Sequence, residues 1–161
     1  DIDTKARFAR HRDALNAGAT SLLNICREEE LTLATDQMYY YSHWVTPTSQ
    51  PRRFDTRCFV CRAPEHQQPI IDNHEVVSQC WINPLEAIRR QQEDGFQIFF
   101  PTIKNLEGII NYQNVDALLK GVAAIKEFPR ILPFRADETL TTPLIPGDEG
   151  YEHIETAETH Y

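Results

Sequence analysis

Two strand-forming stretches held apart by prolines constrain this chain more than any other feature. Residues 38–45, M-Y-Y-Y-S-H-W-V, are dominated by aromatic side chains that suit a pleated, half-buried surface. Thr46-Pro47 ends the run, because proline cannot donate to a β-ladder. A polar loop leads to Pro51, and a second strand is expected over 55–62, D-T-R-C-F-V-C-R. Strands are stable only when their backbone groups are paired and one face is covered. The rest of the chain must therefore supply covering helices and further strands.

It has the material for both. A helix is expected from Lys5 to about Leu15, closed near Gly18, and a second one is capped by Thr20 or Ser21 and runs to about Glu30. A third strand is expected over 75–82. Asn83-Pro84 then has the cap-plus-proline form of a helix start, with Asp94-Gly95 as its stop. Leu118, Leu119, Val122 and Ile125 fall at helical spacing within an expected helix over 115–128. A shorter helix is expected around 106–110, and short strands over 130–134 and 139–145. The fold class is α/β, with one domain over 1–151 and an acidic tail over 152–161.

Charge narrows the partners. The formal net charge of −8 argues against duplex DNA, which needs a basic face. It leaves room for a small anion held by local arginines. Arg52, Arg53 and Arg57 surround Asp55 just after the loop. Either they offer bidentate hydrogen bonds to a phosphate, or Asp55 pairs with Arg53 and Arg57 on one strand face and frames the loop. Trp44 and Trp81 are expected in the core, with stacking on an adenine as the alternative. No apolar run approaches the roughly 20 residues that span a bilayer.

Cys58 and Cys61 form a CxxC, yet positions three apart on a strand face opposite ways and cannot grip one metal. The four cysteines are expected to be buried and reduced. No histidine pair has metal-ligand spacing on a helix. Glu28, Glu29 and Glu30 are consecutive, so they fan around a helix instead of sharing a face. No catalytic residue and no metal site is assigned to the chain.

Several blocks carry a resemblance. W-V-T-P at 44–47, P-R-R-F-D-T-R at 51–57, E-V-V at 75–77, C-W-I-N-P-L-E-A at 80–87, F-P-T-I-K-N-L at 100–106 and L-I-P-G-D-E-G-Y at 144–151 occur in order. Over about 5–151 the chain resembles the Nudix hydrolases, in the branch of bacterial and peroxisomal proteins that cleave coenzyme A and related nucleoside diphosphate derivatives. The resemblance implies a Nudix-like α/β/α sandwich with a mixed sheet. It also implies Mg²⁺ or Mn²⁺ as cofactor and a small nucleotide-derived substrate. Arg52, Arg53, Asp55, Arg57 and Trp44 are the candidate substrate-binding residues.

The catalytic signature of that family, G-x5-E-x7-R-E-U-x-E-E-x-G-U, is not matched. Arg27-Glu28 is the sole Arg-Glu pair, and in its register the second glutamate pair falls on Leu31-Thr32 and the upstream glutamate on Ala19. Residues 5–35 resemble instead the helical insertion that follows the signature in this branch. The expectation is a domain without its N-terminal strands and signature helix, inactive alone, with a homodimer or a complementing N-terminal segment as its partner; a separate upstream polypeptide carrying the signature would complete the enzyme. A non-catalytic ligand-binding or interaction module is the alternative. The cytoplasm is the expected compartment for a bacterial protein, and the peroxisome or mitochondrion for a eukaryotic one.

Overall fold

Ser21 caps the second helix by accepting a hydrogen bond from the Asn24 N–H at 3.2 Å, as its position before an apolar run predicts. The computed structural model describes residues 2–47, 49–65, 67–71, 76–135 and 142–151. The chain divides into two compact units, 1–37 and 38–161.

In the first unit, α1 (Ile2–Asn16) and α2 (Leu22–Glu28) follow the expected helices. Gly18 sits at φ +68° in the connecting turn, where a side chain would be strained. Glu29 ties the two helices together. Its carboxylate accepts from Arg7 Nε at 2.8 Å and lies 2.7 Å from His11 Nε2. The His11 contact, then Arg7, holds Glu29 below the usual carboxylate range.

α2 ends in a left-handed turn. Glu30 has φ +53°, and the Leu31 N–H reaches back to the Cys26 carbonyl at 2.7 Å. That turn ordinarily carries glycine, because a Cβ there costs about 1 kcal/mol. Glu30→Gly is therefore expected to stabilise the chain by about 1 kcal/mol, read as a rise in the denaturant midpoint. An unchanged or lower midpoint would contradict this account of the turn.

The second unit is built on a three-stranded mixed sheet in the order β2-β1-β3. β1 (Tyr39–Val45) pairs antiparallel with β2 (Asp55–Val60) and parallel with β3 (Arg130–Ile131). α3 (Pro84–Glu93) packs on α4 (Phe100–Ile109), and α5 (Val115–Ala123) packs on β1. The expected α/β fold with a mixed sheet is thus present. Asn83 caps α3 by accepting from the Leu85 N–H at 2.9 Å. On the outer face of α3, Arg89 and Arg90 both bond Glu86 and hold its carboxyl down to about 2. Asn114 caps α5 by accepting from the Ala117 N–H at 2.9 Å.

Four expectations need correction. Residues 76–82 form no strand: among the described residues no strand edge pairs with them, and Trp81 is 71% exposed instead of buried. α5 stops at Ala123, short of 128, because Phe128 leaves the helix and packs its ring on Tyr40 at 4.5 Å just before Pro129. α4 begins at Phe100, nearly two turns early, because Pro101 is tolerated in a first turn where its N–H has no partner to miss. The expected strand over 139–145 is reduced in its described part to a bridge between Phe134 and Leu144. The acidic tail, 152–161, lies outside the described residues, as does Glu75.

Alternation along β1 is broken by a bulge between Tyr40 and Ser42. A bulge adds an unmatched residue and re-aims its side chain. Tyr41 and Ser42 consequently both reach Asn105 on α4: Tyr41 OH donates to its carbonyl at 3.0 Å, and Ser42 Oγ to its Oδ1 at 2.8 Å. Burial, then the nearby Tyr112, raises the Tyr41 pKa, so the hydroxyl keeps the proton it donates.

Candidate functional site

Beyond the bulge the β1–β2 ribbon has two distinct faces. Ser42 pairs with Cys58 and Trp44 with Thr56, so these four share one face. His43 pairs with Arg57 and Val45 with Asp55, which places them on the other.

The first face meets α4. Trp44, 5% exposed, donates its Nε1–H to Ser42 Oγ and to Asn105 Oδ1, each at 3.1 Å. Asn105 Nδ2 in turn donates to Cys58 Sγ at 3.5 Å. Phe100 meets the indole edge-on at 6.1 Å between centroids. One asparagine therefore fixes α4 across both strands. Alongside it opens a cavity of about 670 Å³, walled by Trp44, Phe54, Phe99, Phe100, Pro133 and Pro143 among others. Its polar lining includes Gln50, Asn105 and Arg135.

The opposite face is charged. Asp55 Oδ1 lies 2.8 Å from His43 Nε2 and accepts from Arg57 Nη1 at 2.9 Å. An ionised carboxylate only accepts, so His43 Nε2 carries the shared proton. The His43 contact, with Arg57 and Arg130 adding their charge, holds Asp55 below its ordinary 3.8. Arg53 lies ahead of the strand, and its Nε donates to the Thr46 carbonyl at 2.9 Å. Arg53, Asp55 and Arg130, with Val45 and Phe54, line a second cavity of about 460 Å³. Arg52 stacks over Phe54 at 5.5 Å.

A carboxyl depressed on folding stabilises fully above its unfolded value and loses that contribution as pH falls through the folded one. Unfolding midpoints are therefore expected to drop as the pH falls through and below the ordinary carboxylate range. Asp55→Asn should show a smaller drop than the parent chain. Equal drops would contradict the ionised role of Asp55.

Of the five candidate residues, Trp44, Arg53 and Asp55 line the two cavities, and Arg52 and Arg57 line neither. Trp44 belongs to the core and to the wall of the larger one, while Arg53 and Asp55 line the smaller. Arg57 serves as an ion-pair partner to Asp55. Pairing of Asp55 through the strand's period of two holds for Arg57 only, because β2 starts at Asp55 and the alternation does not extend back to Arg53. Sequence reading missed three residues. His43 and Arg130 come from β1 and β3, across the sheet, and only register shows their proximity. Asn105 stands inside the F-P-T-I-K-N-L block, where a polar residue amid apolar ones was the available signal.

Of the four cysteines, all free thiols, Cys26 alone is buried; Cys61 and Cys80 are exposed. The expectation that all four are buried fails because β2 is an edge strand and Cys80 lies in an exposed, non-strand stretch. The L-I-P-G-D-E-G-Y block is a turn. Asp148 Oδ2 accepts from the Ile145 N–H at 2.8 Å, and the buried Tyr151 donates to the Leu132 carbonyl at 2.9 Å.

The described residues do not fit a divalent cation. Such an ion needs several converging oxygens, and no group of three or more His, Cys, Asp or Glu side chains converges among the described residues. Glu29, the central member of the Glu28–Glu30 run, is already engaged by Arg7 and His11.

With this geometry established, comparison with known proteins decides the family. The pattern described as the NUDT19 Nudix domain matches residues 2–109. The chain belongs to that family. The matched span takes in β1, the arginine loop, β2, α3 and α4, while Arg130 of the smaller cavity and Pro133, Arg135 and Pro143 of the larger lie beyond it. The chain is 31% identical over 126 residues to the acyl-coenzyme A diphosphatase NUDT19 of Gallus gallus, covering 69% of the chain and 32% of that protein. Against the Homo sapiens protein of the same name identity is 26% over 151 residues, covering 89% of the chain and 40% of the relative. Against that of Xenopus laevis it is 24% over 154 residues, covering 91% and 40%. The chain thus spans about two fifths or less of the length of these Nudix relatives. No solved structure was found to match it.

Proposed function

We propose that this chain is the substrate-holding body of a Nudix pyrophosphohydrolase that acts on a nucleoside diphosphate derivative of the coenzyme A class. The observation that carries the reading is the family match over 2–109, whose matched segment contains Arg53 and Asp55 of the charged cavity. The relatives are named acyl-coenzyme A diphosphatases, which supports the substrate class. Arg53 and Arg130 supply positive charge for phosphate oxygens, and Asp55, held ionised by His43 and Arg57, orients that side of the sheet.

Nudix hydrolysis generally depends on a divalent metal ion, and Mg²⁺ or Mn²⁺ is the choice taken here. Because the described carboxylates do not fit such an ion, the chain by itself is expected to bind coenzyme A without cleaving it. A complementing N-terminal segment that supplies the signature would be needed for turnover. The engagement of Glu29 by Arg7 and His11 favours a second reading, a ligand-binding or interaction module with a Nudix fold. The relatives come from vertebrates, which supports the eukaryotic placement, peroxisome or mitochondrion, over a bacterial cytoplasm. No helix of the described residues is long and apolar enough to cross a membrane.

The test is an assay with coenzyme A and Mg²⁺ on two samples, the 161-residue chain and the chain with a Nudix-signature segment supplied. Turnover in the second sample alone supports the proposal. Turnover by the chain alone, abolished by chelator, would overturn the expected inactivity. Absence of both binding and turnover in either sample would sink the substrate class.

A further inference from the structure

His43 stands behind the charged cavity and is not part of its lining. Its side chain is only 14% exposed. Strand register sets it in the middle of a row, with Arg57 beside it on β2 and Arg130 beside it on β3. Asp55 lies one step along the ribbon, diagonal to His43, with Oδ1 2.8 Å from His43 Nε2. The same oxygen accepts from Arg57 at 2.9 Å. Asp55 itself lines the cavity with Arg53 and Arg130. A carboxylate there opposes an anionic ligand, and the groups behind it decide how strongly.

We infer that His43 is a positioning residue of the phosphate site, which acts through Asp55 and makes anion binding proton-dependent. The inference rests on the phosphate reading proposed above and adds its control by protons. With a neutral ring, Nε2–H orients the Asp55 carboxylate and leaves its charge to be offset by arginine alone. With a protonated ring, that charge is offset on the spot, and Arg53 and Arg130 act more strongly on phosphate oxygens. Both ring states donate through Nε2, so the geometry persists while the charge changes. Histidine is the side chain whose charge ordinarily changes between about pH 5 and 8. The charged groups around His43 are Asp55 and Arg57 from β2, Arg130 from β3 and Arg53 from the loop. α5, which also packs on β1, carries Asp116, engaged by Arg62, and the exposed Lys120. α4, on the opposite face, pairs Lys104 with Glu107.

The probe is 3′-dephospho-coenzyme A, whose diphosphate diester stays ionised throughout that range, so a pH effect belongs to the protein. Coenzyme A is measured beside it. The dissociation constant of the probe is expected to fall about three- to fivefold between about pH 8 and pH 5.5. Titration calorimetry near about pH 6.5, in buffers of different ionisation enthalpy, should show net proton uptake on binding, as reciprocity requires. His43→Gln keeps an N–H donor for Asp55 but cannot take up the proton. It should match the parent chain at about pH 8 and lose both the pH dependence and the uptake. His43→Ala, the second variant, also loses the donor and should bind more weakly than His43→Gln at that pH. Thermal midpoints on the same samples report folding.

A constant that stays flat with pH in the parent chain, or proton uptake that persists in both variants, would overturn the inference. Binding of coenzyme A in those same samples would leave the phosphate reading standing. Absence of binding by both compounds would overturn the two together.

Discussion

Trp44→Ala is expected to destabilise the chain by about 3–5 kcal/mol, the range for deleting a large buried aromatic side chain. The indole is nearly fully buried, packs edge-on against Phe100, and bonds both Ser42 and Asn105. Its removal opens a cavity at the junction of β1 and α4, which the pinned asparagine prevents from closing. Trp44→Phe keeps most of the packing and loses only the N–H donor, so about 1 kcal/mol is expected. Trp81→Ala is the control, expected within about 0.5 kcal/mol because that ring is largely exposed. Chemical denaturation measures all three. A Trp81 effect as large as that of Trp44 would reverse the assignment of core and surface.

Asn105→Leu is expected to cost about 2–3 kcal/mol. The substitution roughly conserves volume but removes the acceptor for Ser42 Oγ and Trp44 Nε1 and the donor to Cys58 Sγ. A buried donor left without an acceptor costs about 1–3 kcal/mol. Trp44 keeps part of its bonding through Ser42 Oγ, which limits the total. Removing both ends of the bond should be milder than removing one. In a double-mutant cycle with Ser42→Ala, a coupling of about 1 kcal/mol is expected. Strictly additive effects would show that the asparagine is not the link between helix and strand.

These two residues show what the sequence makes legible. Trp44 stands out as an aromatic at the end of a strand-forming run, and its burial follows from type and position. The caps at Ser21, Asn83 and Asn114 are equally local, since the side chain and the N–H it bonds lie within three residues. The link from Asn105 to β1 spans 61 positions and depends on a bulge at Tyr41 that no local pattern marks. The site divides in the same way. The cluster at 52–57 is visible as a charge knot, but His43 and Arg130 join it only through strand register. The stretch at 76–82 fails as a strand for the converse reason: its propensity is real, and among the described residues no strand edge pairs with it.

The central claim is that the charged cavity beside β1 holds the phosphates of a coenzyme A type ligand. The most direct measurement is the dissociation constant of coenzyme A for the parent chain and for Arg53→Ala, with thermal midpoints taken on the same samples. A lost charge-assisted contact should weaken binding by about ten- to a hundredfold. An unchanged constant alongside a lower midpoint would contradict the claim and leave Arg53 as a brace for the loop through the Thr46 carbonyl.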